Sequence, residues 1–483
     1  MNIKQRCYSL NQKISSALNI TGHEKVDYDS EYFKNYNSCR PNGPDKRYCF
    51  APVKNLYFGQ DGEVASCCAA SYVSVYGFYP EKTIKQLWKS TSAYEMRASV
   101  ATGNIAPSCH LCFRQMKEEN HDVTYSHIYD RSSVHKKYPV MMEFYLSNTC
   151  NLECIMCSSV NSSLIAKKEN NVPGKKVYDQ RFVDELEEFI PHLQNTLFFG
   201  GEPFLVPVYY TIWQKIIELN PQCNIDITTN GTILNDKVIA LFEKARINMI
   251  VSLDSLQKEN FERIRKNASF ETVMKNFHTF HQYSIEKNTW FNISFNPMQQ
   301  NWQEIPDMVR FADEMNCGVI FNRVWEPPQC SLWNWEAGKL QEVSDYLESI
   351  TFDRGNEMQN NNHRAFETLK KQINSWKVEL DEYNQHRDDY GNISTASLIM
   401  NGLNEYHKSH GAHVLFLRAA EKKFDQKCEK IVGIIERLKL NDYQNSKLKQ
   451  LAIMQKDILN NTLYYSDFYA IERFLKFATG MQP

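Results

Sequence analysis

Between positions 140 and 325 the hydrophobic period of the chain switches repeatedly. Short apolar runs at 140–147, 195–199, 223–228, 247–253, 290–296 and 317–325 have the length and the β-branched or aromatic content of strands. Between them, 181–189, 209–219, 236–245, 271–281 and 305–314 repeat apolar residues every three or four positions, as amphipathic helices do. Strands and helices in βα order predict a parallel sheet with helices outside. Six such units fall short of the eight of a closed barrel. The expected fold class is therefore α/β, a partial (β/α)6 barrel of the TIM type.

Upstream the pattern differs. Residues 53–58 and 63–66 flank a Gln60-Asp61-Gly62 turn and predict a hairpin, and Ile84, Leu87 and Trp88 begin a helical stretch over 83–98. Residues 1–48 are polar and rich in Tyr and Asn, and 113–137 is a charged connection. Beyond about 340 the strand signals fade into long charged amphipathic stretches such as 412–438 and 445–459. The expected organisation is an N-terminal extension (1–48), a cysteine-bearing unit with its linker (49–138), the barrel (139–339) and a helical region (340–483).

Composition narrows the chemistry. Lys plus Arg (55) balances Asp plus Glu (57), so no global charge points to nucleic acid or to an anionic membrane. No apolar run approaches membrane-span length, and MNIKQRCYSLNQK lacks the apolar core of a signal peptide, so a cytoplasmic setting is expected. In a reducing compartment, 14 cysteines point to metal or redox chemistry rather than to a disulfide framework.

The run at 140–147 leads straight into Cys150, Cys154 and Cys157, a CxxxCxxC loop. Three thiolates on one short loop suit three irons of a [4Fe–4S] cube, with the fourth iron open. A zinc knuckle completed by a distant ligand is the alternative. In a parallel βα array the chemistry collects at the C-terminal ends of the strands, and the next ends are also unusual. The second carries Gly200-Gly201-Glu202-Pro203, two residues that allow close backbone approach beside a carboxylate. The third leads to Thr229-Asn230-Gly231, and the fourth carries Ser252 and Asp254, with Arg265 downstream.

In this order and spacing the set resembles the radical SAM superfamily. The resemblance implies that Cys150, Cys154 and Cys157 hold a [4Fe–4S] cluster whose open iron is chelated by S-adenosylmethionine. It further implies that Gly200, Gly201, Glu202 and Pro203 meet the methionyl ammonium, and that Ser252 and Arg265 contact the carboxylate. Asp254 would have a structural or ribose-side role, and Asn230 lies in a turn the family often shows. Met156 stands where many members place an aromatic, and is expected against the adenine face.

A second constellation precedes the first: Cys49, Gly62, Cys67, then Cys109-x-x-Cys112. It resembles a twitch domain, the shortened form of the SPASM domain, placed before the barrel rather than after it. That resemblance implies a second, auxiliary [4Fe–4S] cluster, hence two per chain. A four-cysteine zinc ribbon has the same spacing. Cys68 competes with Cys67, because neighbours on a strand point to opposite faces. Cys7, Cys39, Cys223, Cys317, Cys330 and Cys428 remain, most of them expected as buried thiols. Glu326 and Cys330, just past the sixth strand, are expected at the mouth as candidates for proton or hydrogen-atom transfer, with Trp325, Trp333 and Trp335 as cover for the pocket.

The resemblance implies an enzyme that reductively cleaves S-adenosylmethionine to a 5′-deoxyadenosyl radical, which abstracts hydrogen from substrate. A flavodoxin or ferredoxin would supply the electron. The subgroup implies maturation of a ribosomally made precursor peptide by crosslinking, oxidation or epimerisation. Dehydrogenation of a small-molecule alcohol is the alternative, and a non-enzymatic, metal-stabilised interaction protein a third. Neither membrane nor nucleic acid is expected as a partner.

Overall fold

The computed structural model describes residues 25–454 except 73, 118–120, 122–123, 131, 133, 136, 170–176, 325–326, 328, 354, 391–392 and 411–416, together with 459, 463, 471 and 475. Its strands are β1 (Asn55–Phe58), β2 (Glu63–Ala65), β3 (Val75–Phe78), β4 (Met141–Phe144), β5 (Asn195–Phe198), β6 (Asn224–Thr229), β7 (Ile247–Ser252), β8 (Phe291–Phe295) and β9 (Gly318–Phe321). They form one sheet in the order β3-β2-β1-β4-β5-β6-β7-β8-β9.

From β4 to β9 every strand is parallel to the next one in sequence. Right-handed crossovers that never reverse direction place their helices on one face. The sequence meets that demand by alternation. Met142, Phe144, Phe198, Ile225, Ile227, Met249, Val251 and Ile293 pack with the helices in the main core. The positions between them are mixed: Glu143, Asn195, Asp226, Thr228, Asn248, Ser252, Asn292 and Ser294, with Met141, Leu197, Ile250 and Ile320 among them. One face of the sheet is dry, and the other mixes amides, hydroxyls and carboxylates with a few apolar side chains.

All six strands expected from 140 onward are present, each within a few residues of its expected limits. The expected hairpin is β1 and β2, paired antiparallel through Tyr57↔Ala65. β1 also lies parallel to β4, with Tyr57 opposite Glu143, so the sheet continues across the boundary expected at 138/139. The stretch 83–98 is two helices, Ile84–Trp88 and Thr91–Thr102. Thr83 begins the first with a capping box to Gln86, and the Ser90 hydroxyl accepts from Ala93 N to begin the second. The charged connection is folded too. Its Tyr125–Asp130 turn is pinned by a buried ion pair between Asp130 and Arg40 (2.7 Å) and by a Tyr36–Ser126 hydrogen bond (2.8 Å).

The helical region begins with Ala337–Glu348 and continues as Glu357–Tyr390, Thr395–His410, Leu417–Arg437 and Asp442–Met454. The long helix Glu357–Tyr390 lies along the free edge of β9. There the Asn362 side chain accepts from Val319 N (2.9 Å) and donates to Cys317 O (2.9 Å), as a further strand would. Near its far end Glu379 pairs with Arg114 (2.8 Å), two residues beyond Cys112.

Candidate functional site

The site begins where β4 and β5 part. The hydroxyl of Tyr209, from helix Pro207–Leu219, lies 3.0 Å from both Phe144 O and Phe199 O and accepts from Leu146 N (2.9 Å). The cysteine loop then folds on its own polar side chains. Cys150 N donates to Ser163 Oγ (3.1 Å), Ser162 Oγ donates to Leu152 O (2.7 Å), and Asn148 Nδ2 donates to Ser159 O (3.1 Å). Ser162 also caps helix Ser163–Lys168 by accepting from Ile165 N.

Cys150, Cys154 and Cys157 are half-buried free thiols. Burial raises all three, Cys154 to about 11 and Cys157 to about 12, and in Cys154 and Cys157 the neighbouring thiols push in the same direction. An added positive centre would reverse that preference and favour the thiolates.

The Gly-Gly turn closes on this loop. Gly200 (φ 85°) and Gly201 (φ 53°) are left-handed. A Cβ at Gly200 would come within 1.7 Å of the Tyr145 ring, and one at Gly201 within 2.3 Å of Thr149 O. The fully buried Glu202 carboxylate accepts from Asn230 N (2.7 Å), Thr229 Oγ1 (2.8 Å) and Phe204 N (3.1 Å), tying the ends of β5 and β6 together. Burial nevertheless pushes it up to about 7. Asn230 in turn donates to Asn151 Oδ1 (3.0 Å) and reaches Cys150 Sγ (3.8 Å), while Asn151 donates to Thr232 Oγ1 (2.9 Å).

Beyond β7, Asp254 accepts from the backbone and side chain of Asn296 (2.8 and 2.7 Å) and forms a buried ion pair with Arg265 (2.6 Å). Burial opposes the Arg265 charge, yet Asp254 and the nearby Cys154 and Cys150 hold its pKa above the ordinary value. Its Nε–H is buried and donates to nothing among the described residues. A buried, unused guanidinium donor beside three cysteines fits a bound carboxylate, as S-adenosylmethionine would present.

The second constellation also assembles. Cys49 precedes helix Ala51–Lys54 and Cys67 follows β2, while Cys109 and Cys112 lie in the turn Pro107–Cys109 and the helix His110–Lys117. Burial raises every one of these thiols. Cys49 is raised further by Cys109 and Cys112, and Cys67 by Cys68, Glu143, Cys49 and Cys109. Cys68 responds after burial to Glu143 and Cys112, so both members of the 67–68 pair border one pocket. The donor set is all thiol and free of disulfides, which fits either an iron–sulfur cube or zinc. Among the described residues no three His, Cys, Asp or Glu side chains are grouped to hold a metal ion. Neither constellation is thus a preformed single-ion site among the described residues.

Cys67 and Cys68 pack against Tyr57, Tyr145 and Phe199, and Cys49 and Cys67 against a cluster that includes Met141 and Leu197. The Tyr145 and Phe199 rings stack at 6.0 Å, Tyr57 lies 6.2 Å beyond Phe199, and Phe199 immediately precedes Gly200. A row of aromatic rings therefore runs from the auxiliary thiols to the Gly-Gly turn.

Not every candidate lands in the site as expected. Met156 packs with Ile155, Ile264, Met298, Val324 and Cys330 in a small apolar cluster. Cys330, expected at the mouth, is buried there with its thiol 3.6 Å from Ile155 O, and burial pushes it up to about 11. Glu326 and Trp325 lie outside the described residues. Trp333 is buried in the main core, and Trp335 meets Trp302 edge-on at 6.4 Å, so both pack into the body of the protein. Sequence reading passed over Asn151, Thr232, Asn296 and Glu143. Glu143 is buried on β4, accepts from Tyr129 (2.5 Å) and Asn55 (2.7 Å), and is pushed by burial up to about 7. An acidic residue inside an otherwise apolar strand was its available signal.

Residues 144–312 match the radical SAM superfamily. The chain is 30% identical over 207 residues to GTP 3′,8-cyclase 1 of Mycobacterium tuberculosis, covering 42% of this chain and 55% of that one. It is 26% identical over 180 residues to the GTP 3′,8-cyclase of Synechocystis, covering 36% and 51%. It thus spans about half the length of these curated relatives. Among solved structures it resembles SuiB of Streptococcus suis bound to S-adenosylmethionine, with 14% identity, a TM-score of 0.33, and coverage of 53% of this chain and 56% of that one. Among the described residues no helix is long and apolar enough to cross a membrane.

Proposed function

We propose, for a chain whose residues 144–312 form a radical SAM domain, that it is a radical SAM enzyme with an auxiliary iron–sulfur site in residues 49–112. Substrate would be held over the polar face of a partial (β/α)6 barrel. The observation that carries this reading is that Cys67 and Cys68 pack with Tyr57, Phe199 and Tyr145, a row of rings that ends against Gly200 beside the three-cysteine loop. When bound, the cluster and S-adenosylmethionine supply reductive cleavage and removal of a hydrogen atom from substrate. The chain's own residues bind and orient. Cys150, Cys154 and Cys157 would hold one cluster, and Cys49, Cys67, Cys109 and Cys112 the other. Arg265 would meet the carboxylate of S-adenosylmethionine, and the Gly200-Gly201 backbone, free of side chains, its methionyl end.

For substrate we favour a ribosomally made peptide. The positions of β4 to β9 that face away from the helices carry amides, hydroxyls, two carboxylates (Glu143 and Asp226) and the apolar Met141, Leu197, Ile250 and Ile320, and no Lys or Arg. Such a surface suits backbone amides, whereas a polyphosphate would meet net negative charge. The similarity to GTP 3′,8-cyclases favours the second reading, small-molecule chemistry.

The test is anaerobic reconstitution. Wild type is expected to bind about eight irons, and the triple variant Cys150→Ala/Cys154→Ala/Cys157→Ala about four. Reduced wild type should form 5′-deoxyadenosine, and the triple variant should form none. Stoichiometric zinc without iron in the triple variant would remove the auxiliary cluster. Consumption of GTP by wild type would decide for the second reading.

A further inference from the structure

Behind Cys49, three cations surround one aromatic ring. The Phe50 centroid lies 4.9 Å from the Arg40 guanidinium carbon, 4.5 Å from that of Arg47 and 4.0 Å from Lys54 Nζ. Two of the three have their own carboxylates. Arg40 donates to both oxygens of Asp130 (3.1 and 2.7 Å), and Arg47 to both oxygens of Asp45 (2.9 Å each). Lys54 has none within ion-pair reach among the described residues. Its ammonium donates to Tyr129 O (2.6 Å), and the residue is only 1% exposed.

A buried cation without an anion costs several kcal/mol unless something nearby is negative. Burial accordingly pushes the ammonium down to about 8, with Asp130 and Cys49 acting in the opposite direction. A group of opposite charge that this corner can acquire is the set of cysteines that begins at Cys49, next to Phe50 in the chain. Cys49 and Cys67 both touch the apolar cluster that contains Phe50 and Tyr129. Four thiolates around a [4Fe–4S] core carry net negative charge, and one-electron reduction adds another.

Resting on the reading of Cys49, Cys67, Cys109 and Cys112 as an iron–sulfur site, we propose that Lys54 is the buried counter-charge of the auxiliary cluster. It raises the cluster's reduction potential and so suits it to accept an electron. Net charge around a cluster is one of the levers that set its potential. A fixed cation in a low-dielectric corner favours the more negative, reduced state.

The test uses the full-length triple variant lacking Cys150, Cys154 and Cys157, so that the auxiliary cluster alone is titrated with dithionite and followed by electron paramagnetic resonance. Lys54→Met keeps the stem and removes the charge. It is expected to retain about four irons per chain. Its one-electron reduction constant should fall about tenfold, a shift of about 59 mV to more negative potential. Lys54→Arg should stay within about threefold of the parent. The same titration on Lys54→Gln decides if the Met variant does not accumulate folded. A parent-like potential in an uncharged variant with full iron overturns the role of Lys54 while leaving the cluster in place. Zinc without iron in the parent overturns both.

Discussion

At the scale of single residues, the carboxylates inside the sheet make the first prediction. Glu143 and Glu202 are both pushed by burial up to about 7. A folded pKa above the unfolded value of roughly 4.3 means that the native state holds the proton more tightly. That contribution is fully present below pH 4 and is lost as pH rises through 7, by up to about 3 kcal/mol per group. Urea denaturation of the metal-free chain at pH 5 and pH 8 should show it, and Glu202→Gln or Glu143→Gln should each remove one part of the fall. His192 and His281, lowered by burial, act in the opposite sense, so the variant-minus-parent difference is the quantity to read. A second prediction concerns Arg265. Arg265→Lys keeps a cation for Asp254 but removes the fork with its unused Nε–H. The fold should survive, and affinity for S-adenosylmethionine in equilibrium dialysis should drop about tenfold. Parent-like affinity would mean that the orphan donor serves something else. The three-cysteine loop was legible because its spacing is chemical. Glu143 and Lys54 were not, because what marks them is burial, and burial of a single charged residue leaves no period in the sequence.

At the scale of elements, the strands of the parallel sheet were legible because one face of each had to be dry. Ile225 and Ile227 alternate with Asn224, Asp226 and Thr228, and that alternation survives in the observed burial of β6. β3 was missed for the converse reason: Val75–Phe78 is four residues long and contains a glycine. The long helix lies within the region expected to be helical, 340–483, although its own limits were not singled out, and its signal exists. Phe366, Leu369, Ile373, Trp376 and Leu380, all buried, recur at three and four residues within an otherwise polar stretch. Its most specific contact makes the third prediction. Asn362 satisfies Val319 N and Cys317 O on the edge of β9 and donates to Asp313 Oδ1 (2.9 Å). Asn362→Leu fills the space and removes the partners, leaving a buried donor and acceptor unpaired. It should cost about 2–4 kcal/mol in urea denaturation, and hydrogen exchange at the Val319 amide should accelerate selectively. Unchanged protection there would show that the edge is held by packing alone.

At the scale of the molecule, a single sheet carries both cysteine pockets, an arrangement that the βα order could not reveal. The pairing of β1 with β4 joins residues 86 apart in sequence, Asn55 and Met141, through an intervening segment that itself holds four of the cysteines, Cys67, Cys68, Cys109 and Cys112. The helical region is where the substrate reading is most exposed to test. Glu357–Tyr390 is committed to the edge of β9 and to Arg114, so it belongs to the body of the protein. Thr395–His410, Leu417–Arg437 and Asp442–Met454 pack against one another, and Asp442–Met454 also packs on the long helix. Cutting the chain after about residue 393 should therefore leave the sheet, both cysteine pockets and the Asn362 contacts intact. If these helices grip a peptide away from its reacting residue, the truncated enzyme should bind S-adenosylmethionine within about twofold of wild type. A precursor peptide that the full chain binds should bind it at least tenfold more weakly, a loss of about 1.4 kcal/mol or more. Fluorescence anisotropy with that peptide, alongside equilibrium dialysis with S-adenosylmethionine, reads both. Undiminished peptide affinity would return docking to the polar face of the sheet. Turnover of a small molecule by a truncated enzyme that no peptide inhibits would decide for small-molecule chemistry, with the last helices only covering the long one.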